Sequence, residues 1–318
     1  MEPSSINYIS LSPVQKEIVS GLFAGTLTIL ITHPLDLVKL RLQISQEHKV
    51  SYSEIIKSTI ISPPNKTNVI REAYRGLTIN LLGNGISWGL YFGLYRYFKD
   101  SLHNVYNDPS NSDNHTTFHK DKNLSASMYL TAAWLSGLTT SILTNPIWVI
   151  KTRIMATNVN GINSYKSILS GCRLIYQNEG WKGFTKGLIP ALFGVSQGAI
   201  YFSVYDSLKF RIFHDSGDLV EKKLHFWQYL FITSTSKMIS VSIAYPFQLL
   251  KSNLQNFVDT RANNNDTNNS SKLLSLIKKI YHNNGIIGFY KGLGANLLRA
   301  IPSTCITFYV YESSKHIL

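Results

Sequence analysis

The chain has 318 residues, 44% of them hydrophobic and only 15% charged, and its 31 Lys and Arg against 18 Asp and Glu give a formal net charge of +13 with pI near 9.5. Such a charge suits nucleic acid, acidic lipid head groups or an anionic substrate; nucleic acid fits worst, because the bases are spread along the chain and not gathered into one patch. Two distant cysteines, Cys172 and Cys305, support neither a disulfide framework nor a cysteine-based metal site.

The N-terminus, Met1 to Ser5, carries neither a secretory signal nor an arginine-rich presequence, so targeting information is expected to be internal. An apolar run about one membrane span long then leads into Pro34-Leu-Asp36-Leu-Val-Lys39. The same design returns at Pro146-Ile-Trp148-Val-Ile-Lys151 and Pro246-Phe-Gln248-Leu-Leu-Lys251. Each copy is followed by an amphipathic stretch, beginning at Tyr52, Tyr165 and Lys272, and by a landmark: Tyr74-Arg75-Gly76, Thr185-Lys186-Gly187 and Tyr290-Lys291-Gly292. After each landmark another apolar stretch opens.

The unit is therefore a long helix ending near a proline, a polar connection with a short helix, and a second long helix, repeated over 1–124, 125–221 and 222–318. Two spans per unit predict six, near 15–43, 77–99, 127–155, 188–211, 224–255 and 293–314. Gly, Ser, Thr, Asn and charged residues interrupt them and the mean hydropathy is −0.02, as expected of helices around a water-filled cavity, where only an outward stripe must satisfy lipid. Composition alone also allows a soluble all-helical protein; three repeats with small residues for packing, such as Gly21 and Gly25, argue for the membrane bundle. The polar tracts 103–123 and 259–271 read as solvated loops. The histidines at 103, 115 and 119 fall in the first of them, where a loop is a simpler reading than a metal cluster.

These repeats of proline, acid and lysine, each with a basic-glycine landmark, resemble the mitochondrial carrier family over nearly the whole chain. The resemblance implies an all-α membrane protein: three tandem two-helix repeats forming a pseudo-threefold bundle of six transmembrane helices with short matrix helices. It also implies a monomeric, multi-pass protein of the mitochondrial inner membrane, both termini facing the intermembrane space, beside membrane lipid including anionic lipid such as cardiolipin.

In that family the acid after each proline pairs with the lysine of the next repeat to close the matrix side. Here the positions are Asp36, Trp148 and Gln248, so only Asp36 with Lys151 can pair in that way, and Lys39 and Lys251 have no carboxylate of that kind. A local pairing of Asp36 with Lys39, three residues apart on a helix, is the simpler alternative. Gln43 and Gln255 match the family's bracing position and Met155 does not. At the opposite, cytoplasmic gate, Tyr205-Asp206 with Lys209 and Tyr311-Glu312 with Lys315 match the aromatic-acid-base motif, whereas Tyr95, Arg96 and Lys99 put a base where the acid belongs. Repeat order would pair Asp206 with Lys315 and Glu312 with Lys99.

Counting 4, 7, 11 and 15 residues from each landmark glycine follows one helical face. It selects Asn80, Gly83, Ser87 and Tyr91, then Ala191, Gly194, Gly198 and Phe202, then Asn296, Arg299, Ser303 and Thr307. The family's contact positions fall on Gly83 with Asn84, Gly194 with Val195, and Arg299. A small-residue face that admits a flat ring, with a guanidinium for an anion, suits a nucleotide-like anionic ligand; the glycines serve equally for helix packing. Lys237, in mid-span where the other repeats have Gly25 and Gly137, costs about 2.5–3.5 kcal/mol to insert and so should face water, an acid or a ligand phosphate; a snorkelling or interhelical lysine is the alternative. Trp88 and Tyr91 offer rings for stacking.

The stretch Ser87-Trp-Gly-Leu-Tyr-Phe92, with Lys237 and the Trp148 motif, is similar to the FAD and folate branch of the family. That implies FAD as transported substrate, not as cofactor, with folate, pyrimidine nucleotides or NAD as alternatives. No catalytic triad, metal set or phosphate loop is present in the sequence, so an enzyme is not expected; a non-transporting membrane scaffold or enzyme is the competing class.

Overall fold

The computed structural model describes residues 13–45, 52–57, 68–106, 126–157, 165, 167–215, 226–257 and 269–317, which are helical with no strand among them. The long helices are α1 (Pro13–Ile44), α4 (Leu77–Tyr106), α5 (Ala126–Ala156), α9 (Ser196–Asp215) continuing the short α8 (Leu188–Gly194), α10 (Phe226–Asn256) and α12 (Leu293–Ile317). Between them lie α2 (Tyr52–Ile56), α3 (Val69–Ala73), α6 (Ile168–Glu179), α7 (Trp181–Phe184) and α11 (Asn269–Asn284), followed by a 3-10 turn at Ile286–Tyr290. Two stretches, Val19–Ile44 and Trp181–Arg211, are long and apolar enough to cross a membrane by length and composition. The polar tracts end inside helices: α4 extends to Tyr106 and α11 begins at Asn269, while the remainder, with His115 and His119, lies outside the described residues.

Polar side chains inside these helices satisfy themselves. The hydroxyls of Thr32, Ser136, Thr144 and Ser236 each donate to the carbonyl four residues back, at 2.6 to 2.8 Å. α1, α5 and α10 each run ten residues beyond their prolines, to Ile44, Ala156 and Asn256, one residue past the ends of the expected spans. The proline's lost hydrogen bond is outweighed by burial of the turns that follow it: Leu37, Val38 and Leu42, then Val149, Ile150 and Ile154, then Leu249 and Leu250 are all buried.

The closest packing joins α12 to α1, α4 to α5, and α9 with α8 to α10, the second helix of one repeat against the first of the next. Gly21 and Gly25 do not contribute to it, since a Cβ at either would meet open space. The packed glycines are Gly83, against Ile147 and Trp148, and Gly137, whose missing Cβ leaves the notch filled by Val195. Val195 reaches that notch from the turn separating α8 from α9, a break in the fourth helix that the sequence pattern does not announce.

α1, α5 and α10 converge at their C-terminal ends, whereas α4, α9 and α12 make no comparable packing with one another. The convergence repeats three times around the axis. The residue before each proline binds the carbonyl of its own repeat's landmark base: His33 Nε2 to Arg75 O at 3.0 Å, Asn145 Nδ2 to Lys186 O at 3.2 Å, Tyr245 Oη to Lys291 O at 2.7 Å. A carbonyl only accepts, so His33 carries its proton on Nε2 and its Nδ1 is left to accept from Asn80 Nδ2 at 3.3 Å. The landmark bases reach forward to the end of the next repeat's first helix: Arg75 to Ile154 O and Thr157, Lys186 to Phe257 O, Lys291 to Ser45 O. The residues seven beyond each proline do likewise: Arg41 donates to Met155 O, Arg153 to Gln255 O and Asn253 to Gln43 O.

The landmark glycines complete the ring. Gly76, Gly187 and Gly292 have φ of +78°, +72° and +83°, and each is covered by the Cγ of the residue nine beyond the next repeat's proline, Met155, Gln255 and Gln43 respectively. Met155 thus takes the bracing position as packing only, while the glutamines also hydrogen bond: Thr152 donates to Gln255, Ser252 to Gln43, and Gln43 to Tyr245 Oη. Two carboxylates are sealed beneath. Glu72 pairs with Arg41, and Glu179, 2% exposed, meets both Arg153 and Lys186 at 2.8 Å.

A Cβ at Gly187 would lie 2.8 Å from Gln255 Cγ and 3.0 Å from Lys251 O. Left-handed backbone costs a side chain about 1–2 kcal/mol and overpacking about 1–3 more, so Gly187→Ala should lower the thermal unfolding midpoint clearly. Gly194→Ala, in helix with open space beside it, should leave the midpoint unchanged or raise it. Glu179→Gln should cost about 3 kcal/mol, because two buried cations lose their counter-charge, whereas Glu54→Gln on an exposed position should be silent in the same unfolding assay.

Candidate functional site

The convergence of α1, α5 and α10 makes a floor, and beyond it α4, α9 and α12, without comparable packing among their described residues, leave a space between the long helices. The first charge on the floor is Asp36, which pairs with Arg299 Nε at 2.9 Å, the two side chains 17% and 27% exposed. The contact is an ion pair by distance without hydrogen-bond geometry at that nitrogen. Asp36 therefore pairs with neither Lys151 nor Lys39, as the gate reading and the local reading would have had it; both lysines lie only within Coulombic reach. Arg299 reaches the carboxylate because α12 packs closely along α1, an approach also marked by Thr28 and Thr307 with their hydroxyls 2.9 Å apart.

Trp148 stands where the second acid would be, and its ring takes Lys151 at 4.7 Å and Lys251 at 5.8 Å from the centroid. The indole N–H donates to Thr144 Oγ1 at 3.1 Å, which fixes the ring. A cation held over an indole gains about 0.5–2 kcal/mol, so the position keeps an attraction for lysine without a formal charge. Gln248, in place of the third acid, donates to Gln197 Oε1 at 2.8 Å and accepts from Asn296 at 3.4 Å, joining α10 to α9 and α12.

Several residues selected by helical counting hold helices together. Asn80 is buried against His33, and Asn84 donates back to it at 2.8 and 2.9 Å. Gly83 is covered by Trp148, and Val195 fills the notch at Gly137. Ser87 keeps a buried hydroxyl without a partner, and Ser303 O accepts from Thr307. By contrast, Gly194 and Gly198 border open space.

Higher in the space two tyrosine ladders run along α4 and α9, Tyr91 stacked on Tyr95 at 6.3 Å and Tyr201 on Tyr205 at 6.2 Å, with Tyr229 edge-on to Tyr205. Trp88 lies flat on Phe92 and edge-on to Tyr91, and is 59% exposed. Lys237 is exposed and its ammonium lies 5.9 Å from the Tyr201 ring centre. Counting from Gly187 selects Phe202 in place of Tyr201, because this repeat has 18 residues from its landmark glycine to its motif tyrosine, Tyr205, where the first has 19, from Gly76 to Tyr95. Towards the open end Asp206 and Lys209 are exposed, and Arg96 makes a 3.9 Å pair with Asp100 on its own helix. The side chains of Tyr311, Glu312 and Lys315 lie outside the described residues, so the pairings of Asp206 with Lys315 and Glu312 with Lys99 do too.

Motif spacing missed the residues before the prolines, the pair of Arg153 with Glu179, and Tyr201. The signal for the first two was available, since His33, Asn145 and Tyr245, like Arg41, Arg153 and Asn253, recur at fixed distances from the prolines.

The family model described as "Mitochondrial carrier protein" matches residues 10–106, 122–216 and 222–318. The chain is 49% identical to a mitochondrial FAD carrier protein of Saccharomyces cerevisiae, over 96% of this chain and 97% of that one. It is 32% identical to a mitochondrial nicotinamide adenine dinucleotide transporter of Arabidopsis thaliana, covering 97% and 81% of the two, and 30% identical to a chloroplastic folate transporter of the same plant, covering 94% of each. With three matched repeats, each bringing its own proline helix into one closed floor, the chain belongs to the mitochondrial carrier family.

Proposed function

We propose that this protein carries FAD across the mitochondrial inner membrane by alternating access, its six long helices spanning the bilayer. The observation that carries the reading is the charge at the floor: Lys39, Lys151, Lys251, Arg299 and, above them, Lys237, against one carboxylate of the proline motifs, Asp36, among the described residues. Such a space draws in an anion. The tyrosine ladders beside it offer faces for a planar ring, and the likeness to a FAD carrier over almost the full length of both chains favours a flavin dinucleotide over other anions. The pyrophosphate meets Arg299 and Lys237, while a ring lies against Gly194 and Gly198 or stacks on Tyr91.

The mechanism follows from where the bonds are. With α1, α5 and α10 joined at one end, the site faces the other; transport requires the ring of side-chain-to-carbonyl bonds at the floor to part while the far ends of α4, α9 and α12 close. Exposed ion pairs contribute about 0–1 kcal/mol and buried ones roughly offset their desolvation, so a floor held by a few of them is biased and not locked. An anion that competes with Asp36 for Arg299 loosens the contact between α1 and α12, which couples occupancy to opening.

A double-mutant cycle on thermal stability tests the pairing: Asp36→Asn with Arg299→Gln should give a coupling energy of about 0.5–3 kcal/mol, and Asp36→Asn with Lys151→Gln a smaller one. The reverse order would reassign the gate. Substrate class is tested by uptake into liposomes. FAD should compete for its own uptake better than riboflavin, which has the ring without the pyrophosphate, and Gly194→Leu should reduce FAD uptake by filling the open space. Arg299→Ala and Lys237→Ala should each weaken uptake at least tenfold, the loss of about one charge-assisted contact. Riboflavin matching FAD, or competition by folates or NAD alone, would overturn the flavin-dinucleotide reading.

A further inference from the structure

The amides that join α12, α10 and α9 run in one direction. Asn296, buried on α12, donates to Gln248 Oε1 at 3.4 Å, and Gln248 gives its own Nε2 to Gln197 Oε1 at 2.8 Å. The carbonyl end of Gln197 is thereby occupied. Its Nε2, which can donate twice, makes no hydrogen bond among the described residues and stays accessible on a half-buried side chain. Gln197 is thus a fixed donor with nothing in the protein to receive it.

The neighbours of this donor suit a flat ring. Gly194, three residues before it, and Gly198, next to it, border open space, so the helix has no side chain there to hold a ligand away. Tyr201 and Tyr205 follow at steps of four residues, on the same face of α9 as Gln197, with their stacked rings 6.2 Å apart. Side chains one helical turn apart are about 5–6 Å from each other at Cβ, so a ring laid on Tyr201 brings an edge to Gln197 Nε2.

We propose that Gln197 is a specificity-determining residue: it donates a hydrogen bond to a ring carbonyl of the transported molecule and so selects a carbonyl-bearing fused ring over adenine at the wall formed by α9. The pyrimidine end of a flavin ring carries two carbonyl oxygens, whereas adenine carries an amino group on its pyrimidine ring and no carbonyl. A donor set against an amino group leaves both unpaired away from water, which costs more than a merely absent contact. A site built to hydrogen-bond one group therefore rejects ligands that lack it more strongly than a site that only has room. The assignment rests on the FAD reading and adds to it which half of the dinucleotide lies on α9, namely the flavin.

Purified full-length protein is titrated with FAD and with ADP, which keeps the adenine and the pyrophosphate and lacks the flavin ring, and the ratio of the two dissociation constants is compared among variants. Gln197→Met removes the amide at similar volume. Gln197→Glu keeps an oxygen for Gln248 Nε2 and replaces the donor. Each should weaken FAD about fivefold more than ADP, the size of one neutral hydrogen bond, and Gln177→Met, on the exposed face of α6, should match the parent. A residue that only braces α9 against α10 would lower the unfolding midpoint and weaken both ligands alike, so an unchanged ratio in the two Gln197 variants overturns the proposal. Uptake into liposomes separates it from the carrier reading. FAD uptake with an unchanged ratio removes the role of Gln197 alone; a changed ratio without FAD uptake removes the transport reading and leaves the contact; a parent protein that binds no FAD removes both.

Discussion

The constraint on which the structure depends is the close approach of three helix ends to three left-handed glycines. α1, α5 and α10 end on the landmark of the preceding repeat, and in each case a Cγ stands where the glycine's own Cβ would be in van der Waals contact or closer. Only glycine offers both the positive φ and the space. Because each helix end is received by the preceding repeat, and the first by the third, the contacts form a closed ring in which no repeat is an end. A tandem array of this kind has no capping unit to supply, and the floor it makes is the product of all three repeats at once.

The ring is threefold in design and unequal in strength. The first two repeats bury a carboxylate beneath the floor, Glu72 with Arg41 and Glu179 with Arg153 and Lys186. The third has Asn253 where they have Arg41 and Arg153, and Asn253 donates to Gln43 O and to Leu249 O of its own helix. At the level of the proline motifs the inequality runs the other way, since the one acid lies in the first repeat and is claimed by an arginine of the third. The junction between the third and first repeats is held below the floor by bonds to carbonyls, Asn253 to Gln43 O and Lys291 to Ser45 O, and at the floor by the pair of Asp36 with Arg299. Of the three junctions it is the one whose ion pair stands at the floor and not beneath it.

Most of the architecture was legible because the hydrophobic runs, the prolines and the landmarks recur in step, and periodicity survives substitution of individual residues. Pairing was less legible. The repeat pattern supplies a partner for Asp36 by analogy, but the partner is chosen by which cation the packing brings nearest, and the approach of α12 to α1 brings Arg299. The same limit applies to Gly83 and Asn80, which lie on the inward face by count and are nevertheless occupied by Trp148 and His33. Periodicity reports direction from a helix axis, whereas side-chain contact depends on how near the neighbouring axis lies. The helices' continuation past their prolines was within the expected spans, which end at 43, 155 and 255, and burial of the turns that follow is what overrides the local breaker.

The turn at Val195 has a consequence for how such a molecule diversifies. One residue of an α-helix is about 100° of rotation, and the turn falls in the repeat that has one residue fewer between its landmark glycine and its motif tyrosine, 18 from Gly187 to Tyr205 against 19 from Gly76 to Tyr95 and from Gly292 to Tyr311. Gln197 and Tyr201 look inward in that repeat, at positions one short of those that the first repeat would suggest. A side chain transplanted between repeats by simple alignment to the landmark glycine would therefore point a quarter turn away from its intended neighbour. Three copies of one ancestral pattern have in this way become three non-interchangeable walls, and an asymmetric molecule entering between them meets only one orientation in which each of its parts faces the wall that suits it.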